Sequence, residues 1–405
     1  MKKSIVAVLV VFLTCFSSSL LAEDGKGKAY NPVPTVMHHI GDANEFHIYG
    51  DIHLPLPCIL YDFEKGFSFF MSSAFHHRSE AVNGYVLNHG RVNKITTSDF
   101  DGDHVALTVV KTDDHGHAHY VGHEKKDGKD VDYVMIEGNK HYLEKPYTLT
   151  TPSGFIDFSI TKNVFGMLLG SIVLFWIFGT AGKLAKNRAG QAPTGMQSFI
   201  EPFFVFIRDE VARPMIGEKH YERFMPFIMT IFFFILILNL LGLIPFFPGS
   251  ANVTGNISVT MALAVITLLV YVTSGNKHYW EHILWMPGIP AWVKFILTPI
   301  ELLGALLIKP FSLMIRLFAN ITAGHIIILS LVSLIFVFGN AGQSTGGSIA
   351  GMAIAVPFTL FMNIIEIIVA FIQAFIFAIL TASYIGEAVA DGHHDDHGHE
   401  HEHAH

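Results

Sequence analysis

The chain has 405 residues, 51% of them hydrophobic and 15% charged, and 35 are phenylalanine. That balance argues against an ordinary soluble or disordered protein and for a membrane protein, because several apolar runs reach the roughly 20 residues that cross a bilayer. The formal net charge of −8 decides little, and with no basic block nothing suggests a nucleic-acid partner.

Met1-Lys2-Lys3, an apolar run through Leu13 and a Ser-rich stretch to Ala22 resemble a secretory signal peptide, so residues 1–22 are expected to be a leader. Leu20 is large for the position three before the cut, and an uncleaved signal anchor is the alternative. Cys15 would leave with the leader, and Cys58 would be the one thiol remaining, so no internal disulfide is expected. Residues 23–155 read as a small external domain. Its apolar segments are short (His47 to Tyr49, Val105 to Val110, Val131 to Ile136) and Gly and Asp clusters separate them, which predicts a β-rich fold.

Residues 156–390 read as an all-α membrane domain. Val164 to Gly182 predicts a first span. Ala192 to Glu222 places Phe199, Ile200, Phe203, Phe204 and Ile207 at helical spacing among charged residues, as in an amphipathic helix lying on a membrane surface. Phe224 to Phe246 and Ile257 to Thr273 predict two further spans. Leu297 to Phe338 and Ile349 to Val389 are each about 40 residues long, joined by a Gly-rich loop, Gly339 to Ser348. A straight helix of that length is ~60 Å, twice the hydrocarbon thickness, so both must tilt or bend. Residues 391–405 form a His-rich tail, expected to be disordered and cytoplasmic. Lys183, Lys186, Arg188, Arg208, Arg213, Lys219 and Arg223 follow the first span, and Lys277 and Lys294 follow the third. The loops Phe247 to Asn256 and Gly339 to Ser348 carry no charge. Basic residues stay inside, which predicts an external N-terminal domain and a cytoplasmic C-terminus.

Arg316 lies within a strongly apolar stretch. A guanidinium in mid-bilayer costs at least about 3 kcal/mol and cannot shed its proton, so it needs a partner or a function. Snorkelling to the surface is the ordinary alternative. If the last two segments fold back as an antiparallel hairpin turning near residue 345, Arg316 comes level with Gln373 and His325 comes level with Glu366. Ser312, Arg316, Ala319, Asn320 and Ala323 share one small, polar side, which would let another helix approach. His325 is nine residues from Arg316, nearly half a revolution away, so it is expected to face a helix of its own chain. A His–Glu pair can hold and pass a proton, whereas an arginine attracts a mobile carboxylate and bars protons from leaking past.

The run Lys309-Pro310-Phe311-Ser312-Leu313-Met314-Ile315-Arg316-Leu317-Phe318-Ala319-Asn320-Ile321-Thr322-Ala323-Gly324-His325 resembles the signature of subunit a of the F-type ATP synthase. Asn239 to Pro245, Asn252 to Thr260 and Gln373 to Phe377 are similar to further family segments, in the expected order between Asp157 and Ala388. The resemblance implies a non-catalytic, proton-conducting stator subunit in a bacterial inner membrane. Its two long tilted helices would wrap a c-ring, and peripheral-stalk b subunits and membrane lipid would be its other partners. It implies that Arg316 is the essential arginine opposite the ring carboxylates, and that Asn320, His325, Glu366 and Gln373 line two offset half-channels. Glu301, Asn252 and Asn256 are possible access or exit groups, with interfacial or loop-capping roles as the alternatives. Some family members carry the acid and the histidine interchanged. The N-terminal extension and the His-rich tail depart from the family pattern.

No ATP site is expected, because Gly182-Lys183-Leu184 lacks the earlier glycine and the following Ser or Thr of a phosphate loop. No cofactor and no metal site is assigned. The tract His115, His117, His119, His123 and the tail from His393 could bind zinc, nickel or copper, but a solvated role is preferred. The competing function is a self-sufficient secondary transporter whose Arg316 binds an anionic substrate. A metal-sensing membrane protein is a third. The residues do not choose between H+ and Na+.

Overall fold

The computed structural model describes residues 32–49, 52–96, 104–112, 118–126, 128–148, 151–188, 190–244, 249, 251–285, 290–340 and 344–390. The expectations for the leader 1–22, for His115 and His117, and for the tail 391–405 fall outside these residues. Two compact units form: Met1–Gly170 with Leu240–Val253 and Thr322–Glu366, and Ser171–Asn239 with Thr254–Ile321 and Ile367–His405.

The first unit opens with a short helix, α1 (Val33–Ile40). Strands follow in chain order: β1 Glu45–Tyr49, β2 Ile52–Pro55, β3 Pro57–Asp62, β4 Gly66–Met71, β5 Glu80–Val82, β6 Tyr85–Asn88, β7 Arg91–Ile95, β8 His104–Ala106, β9 Lys111–Thr112, β10 Ala118–His119, β11 Val121–Lys126, β12 Lys129–Ile136, β13 Asn139–Glu144 and β14 Phe155–Asp157. A 3-10 helix, Ser72–Arg78, separates β4 from β5. The largest sheet has seven strands in the order β11-β12-β13-β7-β6-β5-β8, and a three-stranded sheet has the order β14-β3-β4. Pairing is antiparallel throughout these two sheets. The two-residue loops Asn83-Gly84 and Glu137-Gly138 have positive φ at both positions, the backbone that matches the twist of the strands they join.

The β-rich expectation holds, and two of the three expected strands lie within β1 and β12. The third, Val105 to Val110, is corrected. Only its start belongs to β8, because the chain changes partners: Leu107 N–H donates to Ser79 O and Thr108 N–H to Met135 O. Alternation along β3 buries Cys58, Leu60 and Asp62, and Cys58 is a free, buried thiol. The other side of the β14-β3-β4 sheet is also apolar. Ile156, Tyr61 and Phe67 lie in one row, Ile59 pairs with Phe69 in the next, and Phe67 and Phe69 are 74% and 72% exposed.

Helix α2 (Lys162–Asn187) starts five residues after β14, and its first turns are clasped by the β region. Lys162 N–H donates to Ala43 O and Asn163 N–H to Asp42 Oδ1 (2.8 and 3.2 Å), and the Phe46 and Phe165 rings meet edge to face.

The second unit carries α3 (Met196–Ile207), a π-helical turn at Arg208–Ala212, α4 (Arg213–Ile216), α5 (Tyr221–Leu243) as far as Asn239, α6 (Ile257–Ser274), α7 (Lys277–Leu284) and α8 (Ala291–Leu303). A second π-helical turn, Gly304–Ile308, leads into α9 (Lys309–Phe338), and α10 covers Thr345–Val389. The expected amphipathic segment is shorter and interrupted. Ile200 and Ile207 are buried, whereas Phe199 and Phe204 are exposed. Tyr271 donates its hydroxyl to Ala305 O, within the second π turn. Asn276 closes the end of α10, donating from its backbone to Ala388 O and from its side chain to Val389 O.

Five helices among the described residues are long and apolar enough to cross a membrane. The last two are Ala291–Phe338, 48 residues including the π turn, and Thr345–Val389, 45 residues. They fold back on each other in the first unit. A Cβ on Gly351 would stand 3.0 Å from Ile335 Cα, and Gly347 abuts the Phe338 carbonyl. Small residues at these positions allow the backbones to come this close.

Candidate ion-translocation site

In the first unit, α9 brings His325 to Glu366 on α10, with Nδ1 and Oε1 3.9 Å apart. His325 Nε2 lies 3.2 Å from Gly242 O. A carbonyl only accepts, so Nε2 carries a hydrogen, and Nδ1 is the atom presented to the carboxylate. At 3.9 Å the two groups are too far apart for a direct hydrogen bond, yet a small movement would bring a proton between them. Glu366 is 2% exposed, and its Oε1 has no hydrogen-bond partner among the described residues. A buried carboxylate in that state needs a proton or a nearby cation. Gly324 makes the approach possible, because a Cβ there would overlap the Glu366 carboxylate. Asn252 is buried in the segment Ala251–Val253, and a Cβ on Gly242 would stand 3.3 Å from Ala251 O.

The second unit holds Arg316, Asn320, Gln373 and Glu301. Leu313, Leu317 and Ile321 turn into the core, which leaves Arg316, Ala319 and Asn320 exposed on the other side of α9. Arg316 forms no ion pair with a carboxylate among the described residues, and no hydrogen bond joins it to Asn320 or Gln373 there. Gln373 is buried beside Ala374, Phe377 and Ala378. A buried polar chain adjoins it in sequence: Thr254 donates to Asn239 Oδ1 (2.7 Å), and Asn239 Nδ2 donates to Ala370 O (3.1 Å). Asn256 caps α6, its Oδ1 accepting from Ser258 N–H at 3.0 Å.

Glu301 is half-buried in the wall of a cavity of about 530 Å³, which His278, His282, Lys309 and Glu387 also line. Lys309 pairs with Glu387 and stands over the Tyr384 ring, so it has a definite partner.

Sequence reasoning gave no role to Gly242, Gly324, Asn239 or Glu387. The two glycines stood in the motif strings, but a glycine does not announce which neighbour occupies its missing Cβ. Asn239 bonds a backbone carbonyl 131 positions away, which side-chain patterns do not mark.

The family described as ATP synthase A chain matches residues 164–386. A family described as a domain of unknown function (DUF8433) matches residues 35–145. Among curated proteins, ATP synthase subunit a 2 of Chlorobaculum tepidum is 39% identical over 288 residues, covering 67% of this chain and 78% of that one. ATP synthase subunit a of Chlorobium phaeobacteroides is 40% identical over 279 residues (66% and 78%), and that of Chloroherpeton thalassium is 41% identical over 247 residues (59% and 70%). The match extends through the helices that carry Arg316, His325 and Glu366, and the chain belongs to the ATP synthase A chain family.

Proposed function

We propose that the chain is the proton-conducting stator subunit of an F-type ATP synthase, coupling ion flow to rotation of a ring of carboxylate-bearing subunits. The observation that carries this reading is Arg316: a permanent cation in a membrane-length helix, exposed beside Ala319 and Asn320, with no carboxylate of its own chain paired to it among the described residues. Such a group calls for a counter-charge in a membrane, and a passing anion supplies one. A ring carboxylate passing the small-residue side would be held ionised opposite Arg316 and would have to take up a proton before moving into lipid.

His325 and Glu366 fit proton delivery from the external side, with the Gly242 carbonyl fixing the imidazole tautomer. Asn252 lies on that access route. The cavity lined by Glu301, His278 and His282 fits release toward the cytoplasm. Arg316 would separate the two half-channels, with Asn320 and Gln373 lining the path. The chain itself binds no ATP; nucleotide chemistry belongs to other subunits. In this reading the leader directs residues 23–155 to the periplasm and the C-terminus is cytoplasmic. Peripheral-stalk b subunits and lipid hold the subunit against the ring.

The test is ATP-driven proton pumping by the assembled complex with Arg316→Ala, read from acidification of inverted vesicles. Loss of pumping with ATP hydrolysis retained is expected. Retained pumping would overturn the assignment. Transport by the chain reconstituted alone would favour a secondary transporter instead.

A further inference from the structure

Away from the membrane helices, three side chains of the β-rich region converge. His76 lies in the 3-10 helix Ser72–Arg78, Glu80 opens β5 and His104 opens β8. The β5–β8 register sets Val82 opposite His104 and Ala106 opposite Glu80, so His104 and Glu80 stand diagonally on one face of the sheet. His104 Nδ1 is 3.1 Å from Glu80 Oε2, and His76 Nε2 is 3.9 Å from the same oxygen. One donor atom from each residue lies within 4.8 Å of both others. The backbone around His76 is fastened: Ser79 Oγ donates to His76 O at 2.6 Å, and Leu107 N–H donates to Ser79 O at 2.8 Å.

We propose that His76, Glu80 and His104 form a binding site for a divalent transition metal of the zinc class. Two imidazole nitrogens and one carboxylate oxygen are a donor set that suits zinc, cobalt, nickel or copper and is poor for calcium or magnesium, which prefer oxygen alone. Zinc bonds of about 2.0–2.2 Å put tetrahedral donors about 3.3 Å apart. The Glu80–His104 distance already meets that spacing, and rotation of exposed side chains closes the remainder. His76 and His104 are 64% and 49% exposed, so an ion reaches the site from solvent and a water completes its coordination. β8 is the edge strand of the seven-stranded sheet, and a bound ion would fasten that edge to the 3-10 helix. None of the three residues has a part in the proton path proposed above.

The full-length chain, purified in detergent and stripped with a chelator, is titrated with Zn2+ by calorimetry and with Co2+ by visible absorption. It is compared with His76→Ala/His104→Ala, with Glu80→Gln, and with a chain lacking residues 391–405. The expected result is a stoichiometric site showing tetrahedral Co2+ bands. The double variant should bind more than roughly 10-fold more weakly, Glu80→Gln should also weaken binding, and removal of the tail should leave the site intact. Unchanged affinity and spectrum in both variants, or loss of all binding when the tail is removed, would overturn the proposal. Coupled ATP hydrolysis by complexes assembled with each variant reports whether the chain has folded.

Discussion

His325 and Glu366 face each other across 3.9 Å on consecutive helices, and Gly324 supplies the space between them. Two titratable groups at this separation, one buried and the other tethered through Nε2 to a backbone carbonyl, form a relay that is orientated but not closed. Gly324→Ala should therefore damage proton conduction as severely as removing a partner, because the added methyl displaces the carboxylate. A fall of roughly 100-fold in conductance through the membrane sector is expected, measured by dye-reported proton flux in vesicles. Near-normal flux would mean the relay does not work through this contact.

If the two groups act as one unit, exchanging them should do less harm than deleting either. The double substitution His325→Glu with Glu366→His should keep more proton pumping than His325→Ala or Glu366→Ala. An exchange variant worse than both single variants would argue for independent roles.

The Thr254–Asn239–Ala370 chain is wholly buried, so removing its middle leaves the Thr254 hydroxyl without its acceptor and takes a second hydrogen bond from the Ala370 carbonyl. Asn239→Ala should destabilise the chain by about 1–3 kcal/mol. Thermal unfolding in detergent should show the loss, and Thr254→Val should show a smaller one.

Asp62 is buried in the β region. Burial opposes its ionisation, but the Lys94 ammonium at 2.7 Å and the backbone amides of Glu64 and Lys65 outweigh burial and hold the carboxyl below its ordinary range. A carboxyl whose folded pKa is depressed contributes stability that is present above the unfolded value of about 3.9 and is lost as pH falls through the folded value. Proteolysis of the β region in the intact chain should therefore accelerate below about pH 4. Asp62→Asn should be cleaved faster at neutral pH, and its acid dependence should be shallower.

The membrane helices are legible because an apolar run of membrane length has few other uses, and position along an antiparallel hairpin alone sets His325 level with Glu366. The β region was less legible. Pro32 and Pro34 flank the start of α1, whose eight residues show no long periodic pattern, and Val105 to Val110 reads as one strand although its backbone serves three neighbours in turn. In the site, Arg316 was marked by the cost of its charge. Gly324 and Gly242 could not be assigned, because a missing Cβ and a backbone carbonyl acquire meaning only from what packs beside them.

Phe67 and Phe69 project from β4 on the outer side of the β14-β3-β4 sheet, and β14 runs within five residues of α2. A fragment truncated ahead of the first membrane helix would keep that greasy surface and lose the anchor clasped to Ala43 and Asp42. Such a fragment should clump in dilute aqueous buffer rather than behave as a free-standing monomer.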